Sequence, residues 1–304
     1  MNDIATKQVS EKQLERLAAQ RQLYLDAKTI LAIHVVLSVP VVLVWSLIAR
    51  KFPSMMIYAT VWGVAIALFD IVIFTPLEES LQKKAAKIQE LFDCDVLEIQ
   101  WNAIKTGERP DPETIINAAS RYRKKDTDHA YLIDWYPSNV RQLPINLARL
   151  VCQRANCWWD SDLRRRFANI LILSVFILTI GLTIYGLVGG FSLNEFILSA
   201  VTPLLPSLLL FIRQYIKHRD AAKFLDELKI KVDKYWESGI SGRITSNQFK
   251  ALSRDLQDEI YYNRTKNPII FEWVYNLLRK GHEDQMNKGA DALVEEALDS
   301  LKLR

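Results

Sequence analysis

Arginines and aromatic rings are interleaved over one stretch of the chain: Trp135, Tyr136, Arg141, Arg149, Arg154, Trp158 and Trp159, followed by Arg164, Arg165 and Arg166. A planar guanidinium presents paired donors that match phosphate oxygens, and an aromatic face stacks on a nucleobase. Together these residue types fit the binding of a small anionic nucleotide. They also fit a tryptophan-rich core beside the cytoplasmic face of a membrane, where Lys and Arg accumulate. A second group is sparser. His34 and Asp70 each sit inside an apolar run, about five residues from its inner end; Pro203 and Pro206 belong to another such run, and Arg213 directly follows it. Ionisable side chains within membrane spans are costly and face a bundle interior or a water path. These five residues are candidates for pore lining or gating. The alternative for Asp70 is a helix-to-helix contact, or a pair with Arg213 at the same membrane face.

Catalytic chemistry has no comparable footing. His282-Glu283 starts a zinc-protease pattern, but no second histidine follows at the required spacing. Phosphate-binding glycine loops, dinucleotide fingerprints and nucleophile elbows are absent from the sequence. The four histidines, at 34, 129, 218 and 282, are scattered, and the three cysteines, Cys94, Cys152 and Cys157, form no C-x-x-C. No catalytic residue, metal site or cofactor is expected, the chain is not read as an enzyme, and the cysteines fit a reduced, cytosolic setting.

The elements that must position these residues are hydrophobic. From Phe167 to Gly190 there is no charge, and the run Ile170–Val188 alone is long enough, at about 1.5 Å per residue, to cross a hydrocarbon core of about 30 Å. Gly189-Gly190 turns the chain into a second run, Phe191 to Ile212, whose one charge is Glu195. Thr29–Ile48 and Met55–Phe74 repeat the pattern, with Asp70 the charge in the latter. An insertion cost of about 2.5–3.5 kcal/mol for one Asp is outweighed by more than ten strongly apolar neighbours, each worth about 0.3–0.6 kcal/mol. The expected fold class is an all-α membrane protein with four transmembrane helices in two hairpins. Its segments are a cytosolic amphipathic arm (1–28), hairpin 1 (29–76), a cytosolic helical block (77–166), hairpin 2 (167–212) and a cytosolic helical tail (213–304).

Orientation follows from Lys and Arg near the span ends. Arg16, Arg21, Lys28, Lys83, Lys84, Lys87, Arg164–Arg166, Arg213, Lys217, Arg219 and Lys223 flank the inner ends, against Arg50-Lys51 in one turn. Both termini and both polar blocks are therefore expected in the cytoplasm. The first apolar run is long and lacks a small-residue cleavage site, so no cleavable signal peptide is expected.

Within the polar segments, residues 1–28 look helical from about Glu11 with a loose apolar stripe, which fits a solvated arm or a helix on a membrane or partner surface. Pro40 should kink the first span. Leu77 to Phe92 has helical periodicity, Val96–Trp101 is a helix end or irregular, and Asp111-Pro112 opens a helix to about Tyr122. A helix is expected from Pro144 to about Asn156, and a separate long one capped by Ser161 that enters the membrane. The helix after Arg213 leaves the membrane without stopping. Thr245-x-x-Gln248 forms a capping box. Ile269–Leu278 is too short to span and suits a buried helix or one lying on the bilayer, and 282–304 forms a last, frayed helix.

The layout resembles the SMODS-associated four-transmembrane family of pore-forming effectors from cyclic-oligonucleotide-based bacterial antiphage systems. The resemblance covers most of the chain and rests on Leu17-Ala-Ala-Gln-Arg-Gln-Leu-Tyr24 with Ala27-Lys28, Leu37-Ser-Val-Pro40, Ile73-Phe-Thr-Pro76 and Glu90-Leu-Phe-Asp-Cys94. Asp134-Trp-Tyr-Pro137, Gln153-Arg with Asn156-Cys-Trp-Trp-Asp160, and Leu163-Arg-Arg-Arg166 complete it. It implies an inner-membrane effector linked to a nucleotidyltransferase, with a cyclic di- or trinucleotide as activating ligand and no DNA or RNA partner. It carries no established ligand residues, so the arginine and aromatic set above is an inference from chemistry. One four-helix bundle has no room for an ion path, so a pore implies a homo-oligomer in the bilayer. The competing expectations are a constitutive channel or small transporter using His34 and Asp70, and a non-conducting scaffold or receptor.

Overall fold

The computed structural model describes residues 2–126, 132–197 and 201–302, and among them the only regular structure is helix. The helices are α1 (Ile4–Gln8), α2 (Glu11–Ser38), α3 (Pro40–Lys51), α4 (Met56–Phe69), α5 (Thr75–Val96) and α6 (Ala103–Thr106). They continue with α7 (Pro112–Arg123), α8 (Ile145–Gly189), α9 (Leu193–Phe196), α10 (Thr202–Ile240), α11 (Ser246–Lys266) and α12 (Glu272–Lys302).

Among the described residues, three helical runs are long and apolar enough to cross a membrane: Glu11–Trp45, Pro53–Val96 and Ile145–Gly189. Their outer parts show large apolar side chains to the surroundings. Phe176, Ile177, Ile180, Ile184 and Leu187 of α8, and Ile57, Val61, Val64, Leu68 and Ile71 around α4, are all more than half exposed. Apolar surface of this extent is stable only against lipid or other chains. The fourth expected span, Phe191–Ile212, includes residues 198–200, which lie outside the described set. Its flanks are present: Ser192 and Glu195 form a capping box at the start of α9, and α10 begins at Thr202. The side chains of Pro203 and Pro206 also lie outside that set.

Proline decides the shape of the first run. Pro40 cannot donate to the helix ladder, so α2 stops at Ser38 and α3 restarts at Pro40. In the second run, Asp70–Phe74 forms a π turn that passes directly into α5 through Thr75-Pro76. Gly190 ends α8 with φ of +62°, a left-handed turn that glycine adopts without strain.

The polar segments pack into one core below the spans. Residues 4–28 do not form a solvated arm. Ile4, Leu17, Ala18 and Ala19 are fully buried, and α2 lies against α5 and α7. The small side chains of Ala18 and Ala19 are what let these helices approach. Two separate helices expected between Pro144 and the membrane are one, α8. Ser161 is not a cap; its hydroxyl finds partners across the groove, Ala222 O at 3.3 Å and Asp226 Oδ1 at 2.5 Å on α10, so nothing breaks the helix. The C-terminal pieces are likewise one helix, α12. The connector before it and its first turn lie over α8, with Ile270 and Val274 packed on Leu163, Phe167 and Leu171. The Asp111-Pro112 start of α7 and the Thr245/Gln248 capping box of α11 form where the sequence places them.

Candidate functional site

A cavity of about 180 Å³ opens between α2, α5, α8, α11 and α12, immediately below the spans. A second chamber of about 300 Å³ abuts it across a shared wall of Trp135, Asn156, Trp159 and Tyr275. Trp159 and Tyr275 meet edge-on at 5.4 Å between centroids, and Trp135 packs edge-on against Phe92 at 6.1 Å. The indole N–H of Trp135 is buried with no acceptor among the described residues. It is a donor held at the wall of both chambers.

Four cations face the first chamber. Arg21 lies 4.4 Å and Lys28 Nζ 4.9 Å from the Tyr275 ring centroid, and both reach Glu272, at 2.6 and 2.5 Å. Burial works against each of these charges. At Lys28 burial wins and the ammonium is held below its ordinary pKa; at Arg21 the opposing pull of Tyr275 and Glu272 raises it. Arg164 donates to Asp160 at 3.0 Å and to Pro268 O at 2.8 Å and meets His218 Nδ1 at 3.3 Å. Arg264 donates to Asp93; burial opposes its charge, and the Asp93 carboxylate outweighs burial. Tyr24, also on the wall, keeps its proton, because burial pushes its hydroxyl up to about 12.

The sequence-derived residues divide between this wall and the framework behind it. Trp135, Trp159 and Arg164 line the cavity. Tyr136 is fully buried and donates to Asp93 at 2.6 Å, standing behind Asn156 rather than on the wall. Arg149 is spent on the Leu97 and Glu98 carbonyls, at 2.5 and 2.7 Å. Arg154 pairs with Asp233 at 2.5 Å and, with Trp158, borders a different cavity. Arg165 pairs with Asp226 at 2.5 Å and Arg166 with Asp162 at 2.9 Å, both on the surface of α8. Arg141 is exposed on the turn before α8. Sequence reasoning missed Arg21, Lys28, Arg264 and Tyr275. Arg21 and Lys28 sit in or beside the string Leu17–Tyr24; no local pattern marked Arg264 or Tyr275.

A second cluster lies where the apolar runs meet the polar core. The Asp70 carboxylate accepts from Arg213 at 2.6 Å through one oxygen and from Thr75 Oγ1 at 2.8 Å through the other, and His34 Nδ1 is 3.6 Å away. His34 stacks on Phe74, 4.9 Å between centroids. Asp70 thus has both the Arg213 pair that the sequence offered and a helix-to-helix neighbour, His34 of α2. The cleft beside this cluster shares Gln82, Asn267 and Pro268 with the cavity wall. Gln82 binds the carbonyls of Arg264, at 2.7 Å, and Asn267. The connector from α11 to α12 therefore touches both sites. No three potential metal ligands converge among the described residues.

A family model, the SMODS-associating 4TM effector domain, matches residues 2–293. The chain is also 27% identical over 288 residues to a protein of Bacillus cereus (strain VD146) described as a probable CBASS effector molecule, covering 92% of this chain and 94% of that one. No solved structure matches. This chain belongs to the SMODS-associating 4TM effector family, and it is a membrane protein of the antiphage effector class.

Proposed function

We propose that this member of the SMODS-associating 4TM effector family is gated by a cyclic di- or trinucleotide made by a partner nucleotidyltransferase, and that it breaches the inner membrane as a homo-oligomeric pore. In this reading Phe191–Ile212 is a fourth span, which puts both termini and the cavity on one side, and the Lys and Arg flanking that side make it the cytoplasm.

The observation that carries this reading is the shared wall. Gln82, Asn267 and Pro268 border both the aromatic, cation-lined cavity and the Asp70–Arg213 cluster at the membrane edge. Phosphates entering the cavity compete with Glu272 and Asp160 for Arg21, Lys28 and Arg164. Arg164 holds the Pro268 carbonyl, so drawing it toward a phosphate pulls on the connector. The connector abuts the cleft where Arg213 ties the fourth run to the π turn of the second. A nucleobase against Trp135 or Trp159 would be worth about 1–3 kcal/mol by stacking, and the Trp135 donor supplies a base-edge contact. A ligand shifts the resting state only by its difference in affinity for the two states, so the cavity must fit the open form better.

The test is dye release from liposomes holding the purified full chain, across a panel of cyclic di- and trinucleotides. Release with one member and tight vesicles without it is the expected outcome. Tight vesicles with every member overturn gating. Release without any nucleotide points to a constitutive channel, and intact vesicles together with a retained cytosolic partner point to a scaffold.

A further inference from the structure

On the opposite side of α11 from the cavity lies a groove of about 530 Å³, lined by Lys83, Lys84 and Lys87 of α5, Lys105 of α6, and Tyr261 and Tyr262 of α11. It shares no residue with the cavity. Lys83 and Lys84 stand four and three residues before Lys87, so all three ammonium groups share one helix face, where like charges repel. Lys83 reaches Glu79 at 3.2 Å. Among the described residues, Lys84, Lys87 and Lys105 have no carboxylate within 4.0 Å. The carboxylates lining the groove are Asp258, already held by Arg254 at 2.9 Å, and the exposed Glu259. Neighbouring cations differ: Arg16, Arg254 and Arg264 each meet an acid at hydrogen-bond distance.

The fourth lysine is placed by built structure. Asn102 caps α6 by accepting from Ile104 N and Lys105 N, and its amide donates to Asp258 at 2.7 Å, which fixes this turn to α11. Trp101 closes the turn by donating to Gly107 O at 3.0 Å. The fold thus spends a cap and a tether to hold Lys105 opposite a lysine face it repels. We propose that this groove binds a phosphate-bearing anion, with the lysines on the phosphates and a tyrosine ring available to its organic part. The groove begins about two turns past Pro76, near enough to the membrane for a lipid headgroup and open enough for a soluble polyphosphate. The proposal does not rest on the reading of the cavity.

Acylation footprinting of the full chain tests it. In detergent, inorganic tripolyphosphate is the probe; in vesicles, phosphatidylcholine alone is compared with a phosphatidylcholine and phosphatidylglycerol mixture. Mass spectrometry reads acetylation of Lys84, Lys87 and Lys105 against the exposed Lys223 and Lys250. Protection of the groove lysines by at least about fivefold, with the controls unchanged, is expected for a nearly saturated site. Protection by tripolyphosphate assigns a soluble phosphate, and protection only in the anionic vesicles assigns a headgroup; either supports the site. Lys105→Gln and Lys84→Gln, both at exposed side chains, should each weaken the protecting probe about tenfold. Equal labelling of groove and control lysines in both arms overturns the proposal, as does protection that both variants leave intact.

Discussion

Arg213 Nη2 lies 2.6 Å from Asp70 Oδ2, joining α10, just past the end of the fourth apolar run, to the π turn Asp70–Phe74. Asp70 is nearly buried, whereas the Arg213 side chain is 48% exposed, so solvent screens the pair and its worth is about 1 kcal/mol. If this contact helps hold the resting state, Asp70→Asn shifts the equilibrium toward leak about fivefold without nucleotide. Dye release in ligand-free liposomes checks this. A loss of leak in Asp70→Asn would instead fit an ion path through the carboxylate.

Trp135→Phe keeps the ring and removes the unpartnered indole donor. The nucleotide concentration for half-maximal release should rise about tenfold, the worth of one hydrogen bond to an ionised or strongly polar acceptor. Unchanged half-maximal concentration with every active nucleotide would place the ligand elsewhere.

Asp93 is fully buried and takes hydrogen bonds from Tyr136 at 2.6 Å, Gln257 at 2.9 Å and Arg264. Asp93→Asn leaves the Arg264 guanidinium without its counter-charge and should cost about 3–5 kcal/mol. Thermal unfolding in detergent reads the loss. The double replacement Asp93→Leu with Arg264→Met should cost less than Asp93→Asn, because no buried charge is stranded.

Acid should weaken the polar helical core in two stages. His218 is fully buried, and burial, with Arg164 beside it, holds its pKa well below the ordinary 6.5. Below about pH 6.5 the unfolded chain takes up a proton that the folded chain refuses, so stability falls from there downward. Burial raises the Glu272 carboxyl, but Lys28 and Arg21 outweigh it and hold it below 4.5. Its contribution is present above that value and is lost as pH falls through the lower, folded pKa. Unfolding midpoints from pH 8 to pH 3 should decline first near pH 6.5 and again below 4.5, and Glu272→Gln should abolish the second step.

Cys94, Cys152 and Cys157 are free and buried, and burial pushes the Cys157 thiol up to about 12. Iodoacetamide at pH 8 should leave all three unmodified in the folded chain and modify all three after denaturation. Mass spectrometry counts the adducts; a labelled native cysteine would show that its helix opens.

The cysteines and Asp70 mark the limit of what can be read from a chain. The sequence by itself determined the helical class and the long apolar runs, because a stretch as uncharged as Ile170–Val188 has few stable states outside lipid. It also determined local devices governed by neighbours, such as the break at Pro40 and the capping box at Thr245. What only the tertiary structure decided is which partner each side chain finds. Arg149, Arg154 and Arg164 are alike in sequence, yet one is consumed by two carbonyls, one by Asp233, and one lines a cavity. Ser161 looked like a cap because the hydroxyl of a cap and that of an interhelical contact are the same group, and Asp226 lies 65 residues away. Arg264 and Tyr275 reach the cavity because α11 and α12 fold back onto α8, and such long-range pairings leave no periodic trace.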